Sequence, residues 1–356
     1  MQLLMNLVDD SKQLNQAQFS FKLKYHGPKG RFKIIHQGLM IPGLPAPLHY
    51  FNFLTIIGQP NAPMLRNQSA IKHSALDTVS LISSISPHML GHFNAYSIAD
   101  DCTFGDEQFQ FADRESLRGH IPHFQLIRND DELSVNLKIE TKPIISHFTK
   151  FKFGLFDHWS LMCHCKGDIV YKGQKYSINH LGAFEYARAM NLPYLPLCFF
   201  TYQIINLSHQ RQLLLAQIRN NFNQIMQSRI YLRDLTNNTS EMFDENVYFK
   251  VHRVYPKVTT PNQQDMYLPR EFEWNFKNAS KSIHIYGQSR GDFKFGLAAG
   301  YVGSFQYKVV IDGVEEAGES GYCEYIDCRP LKWQEKNSHA KNSEMVASSV
   351  PCTLKK

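Results

Sequence analysis

Between Leu133 and Glu140 the chain reads Leu-Ser-Val-Asn-Leu-Lys-Ile-Glu, with apolar and polar residues in strict alternation. Side chains of an extended strand point to opposite faces in turn, so this stretch is a strand with one face in a core and the other in water. A helix would scatter its four aliphatic side chains around the axis. Pro143 is expected to end the strand. Runs rich in aromatic and β-branched residues recur at Leu48–Gly58, Asp77–Ser86, Phe93–Ile98, Phe156–Cys165, Asp168–Tyr171 and Tyr176–Phe184, with Gly167 and Gly173 at the expected turns. Further along, Phe199–Leu207, Val247–Tyr255, Phe272–Phe276, Ser282–Tyr286 and Phe305–Ile311 read the same way. Many short strands separated by turn residues predict an all-β barrel or sandwich with few helices. Aromatic residues make up 13% of the chain, which favours pleated, half-buried surfaces. Residues 209–233 fit two readings. Leu213, Leu214, Ile218, Phe222, Ile225 and Met226 form a helical stripe, but they also suit a hairpin turning near Asn220-Asn221.

At 356 residues the default is two domains, and an internal repeat supports that number. Phe151-Lys152-Phe153-Gly154-Leu155 is followed by Gly173 and then by Gly182-Ala183-Phe184-Glu185-Tyr186. Phe293-Lys294-Phe295-Gly296-Leu297 is followed by Gly313 and then by Gly321-Tyr322-Cys323-Glu324-Tyr325. The same three elements in the same order predict two structural copies, each large enough for its own core. The proline-containing stretch 190–197 is the expected packed linker. The expected organisation is an N-terminal arm over 1–20, one barrel over 21–189, a second over 198–330, and a disordered polar tail over 331–356.

Charge and composition narrow the function classes. A net charge of +6 without a dense Lys/Arg run argues against nucleic-acid binding, while allowing a weak, transient attraction to anionic membranes. The apolar N-terminal stretch is short, broken by Asn6 and followed by Asp9 and Asp10, and it lacks the features of a signal peptide. The seven cysteines form no regular framework. A reduced, cytoplasmic location is the expectation. No phosphate-binding, dinucleotide-binding or nucleophile-elbow motif occurs in the sequence. Cys163-His164-Cys165 invites a zinc reading, but on a strand the two thiols share one face while the imidazole points away. Neither metal nor organic cofactor is expected.

Asp157-His158-Trp159-Ser160, with Gly167, Tyr171, Gly173, Tyr176 and Gly182-Ala183-Phe184-Glu185-Tyr186, resembles one signature of a known superfamily. Gly318-Glu319-Ser320-Gly321-Tyr322-Cys323-Glu324-Tyr325 is similar to the other. The superfamily comprises the carotenoid 1,2-hydratases, tocopherol cyclases, fungal Diels–Alderase-type cyclases and AttH-like proteins, and this chain resembles a bacterial branch. The resemblance implies two consecutive antiparallel lipocalin-like barrels related by duplication, with a barrel or inter-barrel cavity for a lipophilic small molecule. It also implies cofactor-independent acid chemistry, with Glu185 as the acid and His158 as its orienting partner. Trp159, Phe184, Tyr186, Glu324 and Tyr325 are the expected ligand contacts.

Two functional readings follow. The first is a binder of a lipid or isoprenoid-like molecule. The alternative is a hydratase, isomerase or cyclase acting on an isoprenoid or polycyclic lipid. The presence of a Glu at both repeat positions favours a structural role for Glu185, because two equivalent catalytic acids are unusual. His158 and Trp159 alternate sides of a strand, so only one of them can face the barrel interior.

Overall fold

The computed structural model describes residues 9–16 and 23–329. The expected C-terminal tail lies outside them, as does most of the N-terminal arm. Two large antiparallel sheets account for nearly all of the structure, with two short helices at Ser11–Gln16 and Ile98–Asp101. Among the described residues no helix is long and apolar enough to cross a membrane.

The first sheet contains β1 (Phe32–Pro42), β2 (Tyr50–Ile57), β3 (Thr78–Ile85), β4 (Phe93–Ser97), β5 (Cys102–Phe104) and β6 (Gln108–Phe111). It continues with β7 (Glu115–His120), β8 (His123–Arg128), β9 (Leu133–Lys150), β10 (Phe156–Tyr171) and β11 (Gln174–Met190). The second contains β12 (Leu197–Leu207), β13 (Arg211–Asn220), β14 (Ile225–Asp234), β15 (Thr239–Phe243) and β16 (Val247–Val254). After a small separate ribbon, β17 (Val258–Thr259) with β18 (Asp265–Met266), it resumes with β19 (Pro269–Lys277) and β20 (Ser282–Ser289). It ends with β21 (Lys294–Leu297), β22 (Gly300–Ile311) and β23 (Val314–Asp327).

Strand order runs 4-3-2-1-11-10-9-8-7-6-5 in the first sheet and 15-14-13-12-23-22-20-19-16 in the second, with β21 paired to β22. The same logic governs both. β4 and β5 lie at opposite ends of the first path, yet only the helix Ile98–Asp101 separates them in sequence. β15 and β16 end the second path with residues 244–246 between them. A sheet whose two edges are joined by so few residues has to roll up, and each sheet forms a lipocalin-like barrel.

The three repeat elements fall at matching places. Each FKFGL precedes the next-to-last strand of its sheet, β10 or β22, and each G-x-x-E-Y lies on the last strand, β11 or β23. Gly173 and Gly313 turn the corresponding final hairpins with φ of 79° and 84°, a conformation that favours glycine. Local conformation differs, however. Phe153 is 85% exposed in a tight turn, whereas Lys294 is buried in a strand.

Several expectations change. β9 continues through Pro143 to Lys150, because β8 pairs with it only as far as Glu140 and the register to β10 shifts between Thr141 and Ile145. The missing proline N–H is therefore not demanded by a continuous ladder. Gly167 lies within β10 rather than at a turn, where a Cβ would stand 2.1 Å from the Asn136 carbonyl oxygen. Residues 211–234 form a hairpin. The helical stripe was an effect of two-sided burial: Leu213 and Leu215 face the interior of the second barrel, and Leu214 packs between the barrels. Residues 9–16, read as part of a loose arm, are clamped instead. Asn15 donates to the His147 carbonyl and accepts from its N–H, and Arg229 of the second sheet donates to Ser11.

Three apolar clusters result: one inside each barrel and one between them. A polar latch closes the first barrel. Glu115 on β7 accepts from Tyr96 on β4 at 2.7 Å and from Arg128 on β8 at 3.3 Å. Arg128 also donates to the carbonyls of Ser83 at 3.2 Å and Gly91 at 2.9 Å. Both charged side chains are fully buried. Removing one partner of such a pair strands the other charge, so Arg128→Met should cost about 3–5 kcal/mol in urea denaturation. Adding Glu115→Gln should restore part of that loss.

His88, fully buried near Arg128, gives the fold an acid sensitivity. Burial, then the charge of Arg128, lowers its pKa to about 3. An unfolded histidine takes up a proton near pH 6.5. The unfolded chain therefore binds more protons between those values, and stability should fall as pH drops from about 6.5 towards 3. Urea midpoints measured across that range should fall less steeply in His88→Leu.

Candidate functional site

The site lies where the last strand of each barrel meets the first. In the first sheet β1, β11 and β10 are neighbours, and the residues at odd and even positions face opposite ways. Phe184 and Tyr186 of β11, with Trp159 of β10, point into the first barrel and fill it. Phe184 stacks on Phe124 at 4.4 Å, and Trp159 packs on Tyr186 at 5.4 Å between ring centres. Tyr325 fills the second barrel in the same way. These four expected ligand contacts are core residues and do not line the cavity described below. Cys163 and Cys165 share that interior with their sulfurs 3.7 Å apart, while His164 points the other way.

The opposite face carries the chemistry. His36 of β1 and His158 of β10 both stand opposite Ala187 of β11, one in each neighbouring strand. Glu185 lies two residues away on the same face of β11. The small Ala187 side chain leaves room for both rings to lean towards the carboxylate. His158 Nε2 is 3.5 Å and His36 Nε2 is 3.9 Å from Glu185 Oε2. The other carboxylate oxygen accepts a 2.5 Å hydrogen bond from Tyr202 of β12, across the gap between barrels. Gly38 faces Glu185 in the β1–β11 ladder, and even a Cβ there would meet the Leu54 and Glu185 side chains at 2.9 and 3.3 Å.

Arg233 of β14 is also buried between the sheets. It donates to Ser146 at 3.0 Å, to the Ser160 carbonyl at 2.9 Å and to Gln212 at 3.2 Å. Burial pushes the Glu185 carboxyl up, but the His158 and His36 rings beside it outweigh that and hold the group at about 2. Burial lowers the pKa of His158 despite Glu185 beside it.

Glu324 sits at the matching place on β23, yet its surroundings differ. The ladders align Glu185 with Glu324, Gly38 with Tyr202 and His36 with Phe200. The position matching His158 is Gly300, whose Cβ would touch Ile326. Glu324 therefore has no histidine pair. It accepts a 3.0 Å bond from Tyr322, which in turn accepts from Asn52 at 3.3 Å. Burial, reinforced by the charge of Glu185, raises the Glu324 pKa well above the usual carboxylate range, against the bond from Tyr322. The two repeat carboxyls are thus pushed in opposite directions. A repeated Glu does not mean a repeated role.

Both groups border one cavity of about 1420 Å³ between the barrels. Its wall includes Ile56 and Phe148 from the first sheet and Tyr202, Ala216, Ile218 and Ile326 from the second. Exposed Ile225 and Tyr248 lie at its rim. Of the residues singled out from sequence, His158, Glu185 and Glu324 line it. Sequence reading missed His36 and Tyr202. The available signal was the place of His36 in a largely apolar strand, on the face opposite Ile35, Leu39 and Ile41. The expectation of no metal rested on the cysteines. It did not consider His36, His158 and Glu185, whose ligand atoms lie within 4.8 Å of one another.

The structure is similar to two solved proteins. One is an AttH-like protein from Nitrosomonas europaea, 12% identical, covering 83% of this chain and 93% of that one, with a TM-score of 0.58. The other is kievitone hydratase from Nectria haematococca, 11% identical, covering 87% of this chain and 93% of that one, with a TM-score of 0.54. No curated protein matches the sequence. The sequence profile of a family of unknown function, DUF6670, matches residues 54–340. The chain belongs to the DUF6670 family and has a double lipocalin-like fold.

Proposed function

We propose that the protein binds a lipophilic small molecule carrying a polar group, and that it does so between the barrels rather than inside one. The observation that supports this is the cavity itself: apolar side chains from both sheets form much of its wall, with the His36, His158 and Glu185 cluster among them and further charged residues such as Lys12, Arg229 and Asp244 also lining it. Such a site gains affinity from apolar burial and orientation from a few fixed polar groups. Drug-sized ligands occupy pockets of roughly 300–1,000 Å³. A cavity of about 1420 Å³ suits a larger isoprenoid-like or polycyclic molecule. Titration of the full-length protein with the apolar fluorophore N-phenyl-1-naphthylamine should give saturable 1:1 binding. Ala216→Trp, which fills part of the cavity, should weaken it at least about tenfold. Equal binding by both proteins, or none by wild type, would defeat the proposal.

A second reading has its own support in the unequal carboxyls. Environments that push two titratable groups apart are a recurring basis for assigning acid and base roles. Glu324, buried and protonated, suits a proton donor to an alkene. Glu185, ionised between histidines, does not suit the acid role expected for it from sequence. Lipophiles that co-purify from the native cells, identified by mass spectrometry, would be incubated with the protein in D₂O. Deuterium should enter the ligand with wild type and not with Glu324→Gln. Absence of label with wild type leaves binding as the whole function.

A further inference from the structure

The geometry points to a divalent transition-metal site, with zinc as the reference ion, held by His36 Nε2, His158 Nε2 and Glu185 Oε2 at the wall of the inter-barrel cavity. The three atoms lie within 4.8 Å of one another, and the two measured approaches to the carboxylate are 3.5 and 3.9 Å. Bonds of about 2.0–2.2 Å in a tetrahedral site put ligand atoms about 3.3–3.6 Å apart. The two histidine–carboxylate distances are already close to that range, and the separation between the two imidazole nitrogens, bounded by 4.8 Å, closes by at most about 1.5 Å through rotation of the side chains.

His36 and Glu185 carry the outer contacts a metal ligand needs. His36 Nδ1 is 2.8 Å from the Thr55 carbonyl oxygen. A carbonyl can only accept, so Nδ1 carries the proton, and in the neutral ring Nε2 presents a lone pair. That lone pair faces a carboxylate oxygen, which is also an acceptor. Two acceptors facing each other in a buried place are repulsive unless a second ring proton or a cation lies between them, and at 3.9 Å the ring makes no hydrogen bond to that oxygen. A ring hydrogen-bonded through one nitrogen to a backbone carbonyl, with the other nitrogen free, is the usual arrangement of a metal-bound histidine. Glu185 completes the pattern. Tyr202 occupies Oε1 at 2.5 Å and leaves Oε2 for the ion. His158 Nε2 is buried and 3.5 Å from Oε2, beyond an ordinary N–H···O bond.

Two histidines and one carboxylate leave at least one coordination position free, and all three ligands line the cavity. An ion there would meet an oxygen of the cavity's occupant. That last step rests on the proposed ligand site; the ion's binding does not. The duplication supplies an internal control, because the matching positions around Glu324 are Phe200 and Gly300, which cannot ligate. A second group, His252 and His284 about Glu273 at 3.1 and 3.6 Å, lies on a more exposed surface and serves as the control for incidental binding.

The test uses full-length protein stripped with EDTA and titrated with Co²⁺, with no apolar ligand present. Wild type should bind one equivalent tightly and develop visible d–d absorption. His36→Asn and His158→Asn should each weaken binding by more than the about 10–100-fold that loss of an outer partner costs, with circular dichroism confirming that they fold. His284→Gln should bind as wild type does. Should both site variants misfold, Glu185→Asp and the Zn²⁺-induced rise in wild-type melting temperature replace them, the rise being retained in His284→Gln. No saturable 1:1 uptake by wild type overturns the site, as does uptake that survives His158→Asn unchanged. Because the readout is the ion alone, this outcome is independent of whether the cavity takes a lipophile.

Discussion

The structure depends on strands that are buried on both faces. β1, β11, β12 and β23 each send alternate side chains into their own barrel and the rest into a layer shared with the other barrel. In most lipocalin-like barrels viewed singly, the outer face would be polar. Here Met40, Tyr50, Leu54, Tyr202, Leu214 and Tyr322 make it a third core. At about 25 cal/mol per Å² of buried apolar surface, this shared layer is a major contributor to stability. It also fixes where polar groups can be placed. A carboxylate or guanidinium buried in that layer must find protein partners, as Glu185 does in Tyr202, Glu324 in Tyr322, and Arg233 in Ser146, Ser160 and Gln212.

Two-sided burial also decides what could be read from the sequence. Strands with one wet face announce themselves: the alternation over 133–140 gave its strand directly, and the repeat placed the final hairpin of each barrel. Strands buried on both faces lose the alternation. Leu213-Leu214-Leu215 looked as much like helix as strand because Leu213 and Leu215 are buried inside the barrel and Leu214 between the barrels. Pro143 and Gly167 misled in the opposite direction. A residue that usually ends a strand can be held inside one where a ladder is incomplete or a neighbouring backbone comes close.

The site was legible in part. Glu185 and His158 stood out through a family resemblance, and the alternation rule separated His158 from Trp159. The rule did not say which of the two mattered, because the cavity lies outside the barrel interior rather than within it. His36 could not be connected to them without the β1–β11 register, since the group is assembled across three strands. Nor could the unequal states of Glu185 and Glu324 be foreseen. They depend on what Gly38, Tyr202, Phe200 and Gly300 put around each carboxyl, and those positions carry no motif.

The pairing of Gly38 with Tyr202 has a consequence for how such a molecule can come to exist. Two identical barrels meeting about a two-fold axis would carry the same residue at both places. Either two glycines would leave a hole or two tyrosines would collide over the carboxylates. Histidines on one side would force histidines on the other. Joining the copies in one chain removes that restriction, because each gene half can change alone. One half carries imidazoles beside its carboxyl. The other has a phenyl ring and a glycine at those places and sends a tyrosine across to its neighbour's acid. The single chain is what permits an asymmetric centre in a nearly symmetric scaffold.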